Sequence, residues 1–321
     1  MGSPEVFKTI HRNSRFWVAG HIGPDGDTIT SVLLIGRLLD SLKKRYCLYI
    51  GDKIPEKFSF LSGIGKIRNR RPDFLPDALI TLDAPNLARV ALKDFRTLYP
   101  SATIVNIDHH LSNEKFGDLN WLDTGRSAAC LMAFDLLTMA GVPFGKEEAE
   151  MVFTGLFTET GGFVFPNTTD EVFDVCAEAV KLGVDSSDIA LRMTARDQRN
   201  LALLGEILSS LQVNDGLATI ELTEEMLARV GLNHEEEDSD SYIRYPTSIP
   251  GIRITIFFRE IRAQGQVRMS FRSLAGVDVN KLASRFGGGG HPAAAGAMVE
   301  GPYERVKREV IKTAEAYLEK V

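Results

Sequence analysis

The chain has 321 residues, 44% of them apolar, and its 37 Lys and Arg against 43 Asp and Glu give a formal net charge of −6. That length supports a substantial buried core and points to two domains more readily than one. The acidic balance excludes a protein that coats long nucleic acids by charge alone, while leaving room for a local basic patch.

Along the first half, short apolar runs alternate with longer amphipathic ones. Phe16–Gly20 reads as a strand, "TITSVLLIGRLLDSLKKR" from Thr28 reads at helical period, and Tyr46–Ile50 is strand again. Ala78–Leu82 and Ala102–Ile107 are further strand candidates, followed by helical patterns over Ser127–Met139 and Glu147–Phe157. Such alternation implies βαβ units, and so a parallel sheet with helices on both faces, whose ligands bind at the carboxyl ends of the strands.

Beyond Thr169 the pattern changes. "EVFDVCAEAVKLG" is helical with Gly183 as its cap, and "ALRMTARDQRNLALLGEILSSLQ" reads as one long helix over 190–212 that could join two domains. "GLATIELT", "IRITIFFREI" and "QVRMSFRSL" alternate like strands, and residues 301–321 close the chain as a helix. The expected organisation is therefore an α/β domain over 1–190, a connecting helix over 191–212 and a smaller α+β domain over 213–321. The run "HEEEDSD" at 234–240 reads as a solvated loop.

Acids and imidazoles concentrate after three of the strand candidates. "GHIGPDGD" (20–27) follows the first, "TLDAPN" (81–86) follows the Ala78 strand, and "NIDHHLSN" (106–113) ends the Ala102 strand. All three therefore fall at one end of one sheet. Asp25 and Asp27, separated by a single glycine, can point toward different ions from one backbone segment, while Asp83 and His109 arrive from neighbouring strands. A mixed set of imidazoles and carboxylates can hold two divalent ions about 3.5–4 Å apart and clamp an in-line displacement at phosphorus. Oxygen ligands dominate and no thiolate is present, which favours Mn²⁺, with Mg²⁺ as the alternative, over structural zinc.

Further along, "FGGGGHPAAAGA" (286–297) places four consecutive glycines, Gly287 to Gly290, before His291. Bare backbone N–H groups let an anion approach closely, and His291 adds an imidazole donor. Five arginines at 253, 259, 262, 268 and 272 face a single acid, Glu260, across that stretch, and at least half of them read as ordinary surface charge. Arg272, followed by Ser273, is the candidate for a terminal phosphate, because guanidinium offers bidentate geometry. Lys281 and Arg285 read as solvated helix positions, and Arg89 is ambiguous. A compact basic cleft on an acidic chain suits a substrate of a few nucleotides better than a long polymer.

The motifs "GHIGPDGDTITS", "LDAPN", "NIDHHLSN", "GLFTETGGF" and "FGGGGHPAAAGA" together resemble the DHH phosphoesterase superfamily, in the branch with a DHH-associated C-terminal domain. They stand in the family's order from residue 20 to 297. "NTTDEVF", "RDQRNLALLGEIL" and "SFRSLAGVDVNKLASRFGGGGH" are similar to its NrnA-like subgroup of nanoRNases and pAp phosphatases.

The resemblance implies two metal ions, one held by His21, Asp25 and Asp83, the other by Asp27, His109 and Glu159, with Asp83 bridging. It also implies that Asp108 is an acceptor that fixes the His109 ring, and that His110 faces the scissile phosphate. Gly288, Gly289, Gly290 and His291, with Arg272 and Ser273, would hold the terminal nucleotide.

Two positions depart from the family pattern. Glu159 stands where the family has Asp, and Leu131 stands at the position of a family glutamate. The expected activity is metal-dependent hydrolysis of short RNA or DNA oligonucleotides to mononucleotides, with pAp phosphatase activity beside it. A cyclic-dinucleotide or pApA phosphodiesterase shares every motif, and a catalytically weak nucleotide-binding sensor is the rival from another class. The family also pairs as homodimers.

Neither a disulfide framework nor a thiolate zinc site is indicated by Cys47, Cys130 and Cys176, which include no CxxC pair. That cysteine usage, and the lack of a signal-type segment or an apolar run of about 20 residues, set the expectation of a cytoplasmic chain without membrane contact.

Overall fold

The computed structural model describes residues 2–234, 237, 239–273 and 276–320. The chain divides into two compact units, Met1–Ala195 and Arg196–Val321. The first contains α1 (Ser3–Arg12), β1 (Arg15–Ala19), α2 (Gly26–Ser41), β2 (Arg45–Tyr49), β3 (Ile67–Arg68), β4 (Ala78–Leu82), α3 (Phe95–Leu98), β5 (Thr103–Asp108), β6 (Leu119–Leu122), α4 (Ala129–Met139), α5 (Lys146–Glu159), α6 (Asp170–Lys181) and α7 (Ser186–Thr194).

Its six strands are all parallel, in the order β3-β2-β1-β4-β5-β6. The chain runs outward from β1 through β2 to β3, then returns to lay β4 against the other side of β1. The carboxyl ends of β1 and β4 therefore flank the topological switch point, where doubly wound sheets bind ligands. The central strands are apolar without alternation because both faces are covered. Phe16, Val18, Ile80, Leu82, Val105 and Ile107 pack with α1, α2, α4 and α5 in the main core. On the opposite face Trp17, Ala19, Leu79 and Ile104 pack under Val90, Leu92, Phe95 and Ala102, so that side is covered by the one-turn α3 and the loop preceding it.

Helix α2 is buried along most of its length because it lies between the sheet and both α4 and α5. Glycines set how closely these helices approach. A β-carbon at Gly26 would lie 2.2 Å from Thr158 Oγ1, and one at Gly155 would lie 2.5 Å from Thr30 Oγ1 and 2.7 Å from Cys130 Sγ.

The second unit contains α8 (Gln198–Ser209), β7 (Gln212–Asn214), β8 (Leu217–Leu222), α9 (Glu224–Val230), α10 (Arg244–Thr247), β9 (Ile254–Ile261), β10 (Gln266–Arg272), α11 (Val279–Ser284), β11 (Gly289–His291), β12 (Ala294–Glu300) and α12 (Tyr303–Leu318). Its sheet has the order β11-β12-β10-β9-β8-β7 and is antiparallel except for the β8–β9 pair. Helices α11 and α12 cover one face, where Val279, Leu282, Val306 and Val310 meet Ile254, Ile256, Phe258, Met269 and Phe271.

Two expectations are corrected here. The single helix over 190–212 is instead two helices, α7 and α8. Ala195 is extended, and the Asp197 carboxylate accepts the N–H of Asn200 at 2.8 Å, starting a new helix. In the acidic run, residues 235, 236 and 238 lie outside the described residues, but Glu237 and Ser239 are buried rather than solvated. They face Arg259, whose Nη2 is 3.4 Å from Glu237 Oε1 and 2.6 Å from Ser239 Oγ. A guanidinium buried on β9 requires such partners, so Arg259 is not one of the surface arginines.

Candidate metal centre

Each candidate ligand is placed by the end of a regular element. The chain leaves β1 into His21 and turns at Gly23, which has a φ of +65°. Asp25 then caps α2, accepting the N–H of Thr28 at 3.0 Å. Asp27, the second residue of α2, is fully buried, and its carboxylate accepts the backbone N–H groups of Ala129 and Cys130, both at 2.7 Å. These are the first residues of α4, whose unsatisfied N–H groups and dipole suit an anion. Asp83 follows β4 directly and has a φ of +55°, a left-handed conformation that Asp tolerates better than most side chains. His109 and His110 follow β5, and Glu159 is the last residue of α5.

These segments converge on Asp83. His21 Nε2 lies 3.3 Å from Asp83 Oδ2 and 3.7 Å from Asp25 Oδ1. On the other side, His109 Nε2 lies 3.4 Å from Asp83 Oδ1, 3.8 Å from Asp27 Oδ2 and 3.9 Å from Glu159 Oε1. Three possible ligand groups result: His21–Asp25–Asp83 and Asp27–His109–Glu159, with Asp83 turning one oxygen toward each, and Asp83–His109–His110, in which His110 Nδ1 lies 3.5 Å from Asp83 Oδ1. All six residues named as ligands from the sequence are thus brought together.

The charges in this cluster are poorly balanced by protein groups alone. Burial opposes protonation of His21, but Asp25 and Asp83 outweigh it and hold the imidazole up at about 10. His109 is likewise opposed by burial and lifted to about 10, by Asp83 and then Asp27. Burial, reinforced by neighbouring carboxylates, raises Asp27 to about 7 and Glu159 to about 9. Asp83 is also disfavoured by burial, yet its contacts with His109 and His21 keep it well below the usual carboxylate range.

The raised imidazoles and carboxylates show how strongly this buried cluster favours positive charge at its centre. Asp83 Oδ1 and His109 Nε2 are buried and face one another, yet neither has a hydrogen-bond partner among the described residues. Orphaned acceptors of oxygen and imidazole type, surrounded by three carboxylates, are what a hard or borderline divalent cation satisfies. The residues therefore fit such ions.

One role differs from expectation. The Asp108 carboxylate does not hold the His109 ring. Its Oδ1 faces His110 Nδ1 at 2.7 Å and accepts the backbone N–H of His109 at 2.9 Å, while Asn113 Nδ2 donates to its Oδ2 at 2.6 Å. His109 Nδ1 instead faces the Arg126 carbonyl at 3.2 Å. The strand ends at Asp108, so its short side chain turns back over the next two N–H groups and reaches only the second ring. Burial works against protonation of His110, but Asp108 more than compensates and raises its pKa. That ring remains 34% exposed and so can meet a ligand.

Leu131, the third residue of α4, is buried in the main core. Thr28 went unremarked in the sequence, yet its hydroxyl donates to Asp83 Oδ2 at 2.6 Å. Arg126 and Asn113 went equally unremarked. A signal for Asn113 lay in the quoted "NIDHHLSN", but no local pattern marks a carbonyl such as that of Arg126.

The remaining candidates lie in the second unit. Arg272 ends β10 opposite Ala294, and on the other side of β12 His291 is also opposite Ala294. Ser273 is buried, its N–H bonds the Ala293 carbonyl at 3.0 Å, and its hydroxyl has no partner among the described residues. The glycine run is not an open loop. Gly289 and Gly290 form β11 against β12, and a β-carbon at Gly288 would lie 2.1 Å from the Gly296 carbonyl oxygen. Lys281 is exposed beside Asp278, whereas the Arg285 guanidinium lies over the Tyr317 ring.

A doubly wound α/β domain with a carboxylate and imidazole cluster at its switch point, followed by a mixed-sheet domain bearing a glycine hairpin, defines a class of two-domain hydrolases. Residues 15–156 match the family model described as the DHH family, N-terminal domain, and residues 223–320 match that of the DHHA1 domain. The chain belongs to this DHH family of phosphoesterases, in its DHHA1-bearing form.

It is similar to the bifunctional oligoribonuclease and PAP phosphatase NrnA of Thermus thermophilus, with 34% identity over 95% of this chain and 91% of that one. The protein of the same name from Bacillus subtilis is 28% identical over 92% of both chains. Among solved structures, an exopolyphosphatase-related protein from Bacteroides fragilis superposes with a TM-score of 0.88 at 28% identity, covering 99% of this chain and 95% of that one.

Proposed function

We propose that this chain is a divalent-metal-dependent phosphoesterase that hydrolyses short oligonucleotides to mononucleotides and also acts as a phosphatase on pAp. The observation that carries the reading is the pair of ligand triads sharing Asp83 at the switch point of the sheet. The names of the relatives supply the substrate class.

In this reading His21, Asp25 and Asp83 hold one ion and Asp27, His109 and Glu159 the other. Two such ions lower the pKa of water and neutralise charge on phosphoryl oxygens. The protein's own groups do the rest. Thr28 donates to Asp83 Oδ2 and so orients its other oxygen, and the first turn of α4 pins Asp27. His110, held at Nδ1 by Asp108, turns its Nε2 edge outward to donate to a phosphoryl or leaving oxygen. Arg272, Ser273, Gly288, Gly289, Gly290 and His291 take the terminal nucleotide, supported by their grouping around one end of β12. Mn²⁺ is the ion we assign, and the unpaired thiols of Cys47, Cys130 and Cys176 suit the reducing cytoplasm.

The test is an Mn²⁺-dependent time course on 5′-labelled RNA of two, three, five and twenty-four nucleotides, run beside pAp, linear pApA and cyclic di-AMP. Preferential conversion of the two- to five-mers to mononucleotides, with phosphate release from pAp, is the expected result. Inertness toward all of them with intact Mn²⁺ binding would replace the enzyme with a nucleotide-binding sensor, and turnover of cyclic di-AMP alone would make it a cyclic-dinucleotide phosphodiesterase.

A further inference from the structure

The Asp27–His109–Glu159 triad depends on two pieces of backbone. One is the Arg126–Ser127 corner before α4. The Arg126 carbonyl faces His109 Nδ1 at 3.2 Å; it can only accept, so the ring proton sits on Nδ1 and Nε2 keeps its lone pair toward the carboxylates. The other piece is the end of α5, which carries Glu159. Beyond it the chain passes through Gly161, Gly162 and Phe163, all at positive φ, in a turn hydrogen-bonded back onto the end of α5.

Asn167 joins the two pieces. Its Nδ2 donates to the Ser127 carbonyl at 3.2 Å and to the Glu159 carbonyl at 3.3 Å. The reverse orientation of the amide would set oxygen against both carbonyls, so the nitrogen is the atom that fits. Around this clamp the Ser127 and Thr169 hydroxyls meet at 3.2 Å, and the Arg126 guanidinium is tied to Asp135 at 2.8 Å and to Glu171. The other triad is held by different means. His21 Nδ1 rests on the adjacent Ile22 carbonyl at 2.9 Å, and Thr28 supports both Asp25 and Asp83.

We propose, resting on the two-ion reading above, that Asn167 is a positioning residue that sets the affinity of one ion only, the one held by Asp27, His109 and Glu159. It fixes the backbone on both flanks of that triad and touches neither flank of the other. Groups that orient ligands in this way typically change metal affinity by about 10–100-fold when removed.

The experiment is a calorimetric Mn²⁺ titration of the full chain after chelation, comparing wild type with Asn167→Leu, which keeps the volume but loses both donors. Wild type should bind two ions. In the variant one ion should weaken by about 10–100-fold while the other stays within about twofold, and the unchanged ion serves as an internal control for folding. Two ions with unaltered affinities, or two weakened together, would overturn the positioning role while leaving the two-ion reading in place. A wild type that binds fewer than two ions would overturn both. Thr169→Val, which loses only the hydroxyl contact with Ser127, should weaken the same ion to a smaller degree and carries the test should Asn167→Leu not fold.

Discussion

At the scale of single residues, Asp83 and His110 differ in what their loss should do. Asp83 offers one oxygen to each triad, so Asp83→Ala should cost more than the roughly 10–100-fold expected of a supporting residue, and Mn²⁺ titration should show both ions affected. His110 lies 2.7 Å from Asp108 and 3.5 Å from Asp83, outside the two triads proposed to hold the ions. His110→Ala should therefore lower kcat by about 10²–10⁴-fold while leaving two Mn²⁺ ions bound, and a variant that loses both ions would refute that division. The sequence made the clustering of the six candidate ligands legible because each lies at one end of a strand or helix. It did not reveal which imidazole Asp108 holds. Three adjacent side chains can pair in two ways, and the backbone turn after β5 selects His110.

Elements, rather than residues, decide how firmly the centre is held. Asp77 precedes β4 and accepts the N–H groups of Ser14 and Arg15 at 3.2 and 2.9 Å together with the Arg15 guanidinium, tying the start of β1 to its neighbour. The Arg15 contact comes first among the causes that depress the Asp77 pKa; partial burial opposes it, and the two N–H groups add to it. A depressed acid stabilises above its ordinary pKa and loses that contribution as pH falls through its folded-state value. Asp77→Asn should therefore lower stability at neutral pH by about 1 kcal/mol, and denaturant titrations should show the gap closing as pH drops below the ordinary Asp range.

Gly26 is the second case. Its missing β-carbon leaves room for Thr158, so Gly26→Ala should cost about 1–3 kcal/mol through overpacking. It should also weaken Mn²⁺ binding, because the end of α5 carries Glu159; Thr158→Ala in the same chain should recover part of both losses. The spacing "DGD" displayed the glycine, but its reason, a helix from a segment more than a hundred residues away, is not written locally.

For the whole molecule, binding of ions to the folded state alone must raise stability. At a free concentration near one hundred times Kd, a site contributes about 2.7 kcal/mol, so Mn²⁺ added to the chelated protein should raise Tm by several degrees. Asp83→Ala should flatten that response. A wild type whose Tm ignores Mn²⁺ would mean that the cluster of Asp27, Asp83 and Glu159 is stabilised by its imidazoles and not by metal.

The sequence by itself determined the alternation that makes a parallel sheet, the end of that sheet at which acids and histidines gather, and the family, because strand and helix periods and short motifs are local properties. Tertiary structure alone decided that β1 and β4 flank the switch point, that Asp108 pairs with His110, that 190–212 breaks at Asp197, and that Asn167 bridges Ser127 and Glu159. Each of these depends on which backbones lie side by side after packing, and hydrogen-bonding partners 8 to 40 residues apart carry no periodic signal by which one could be chosen beforehand.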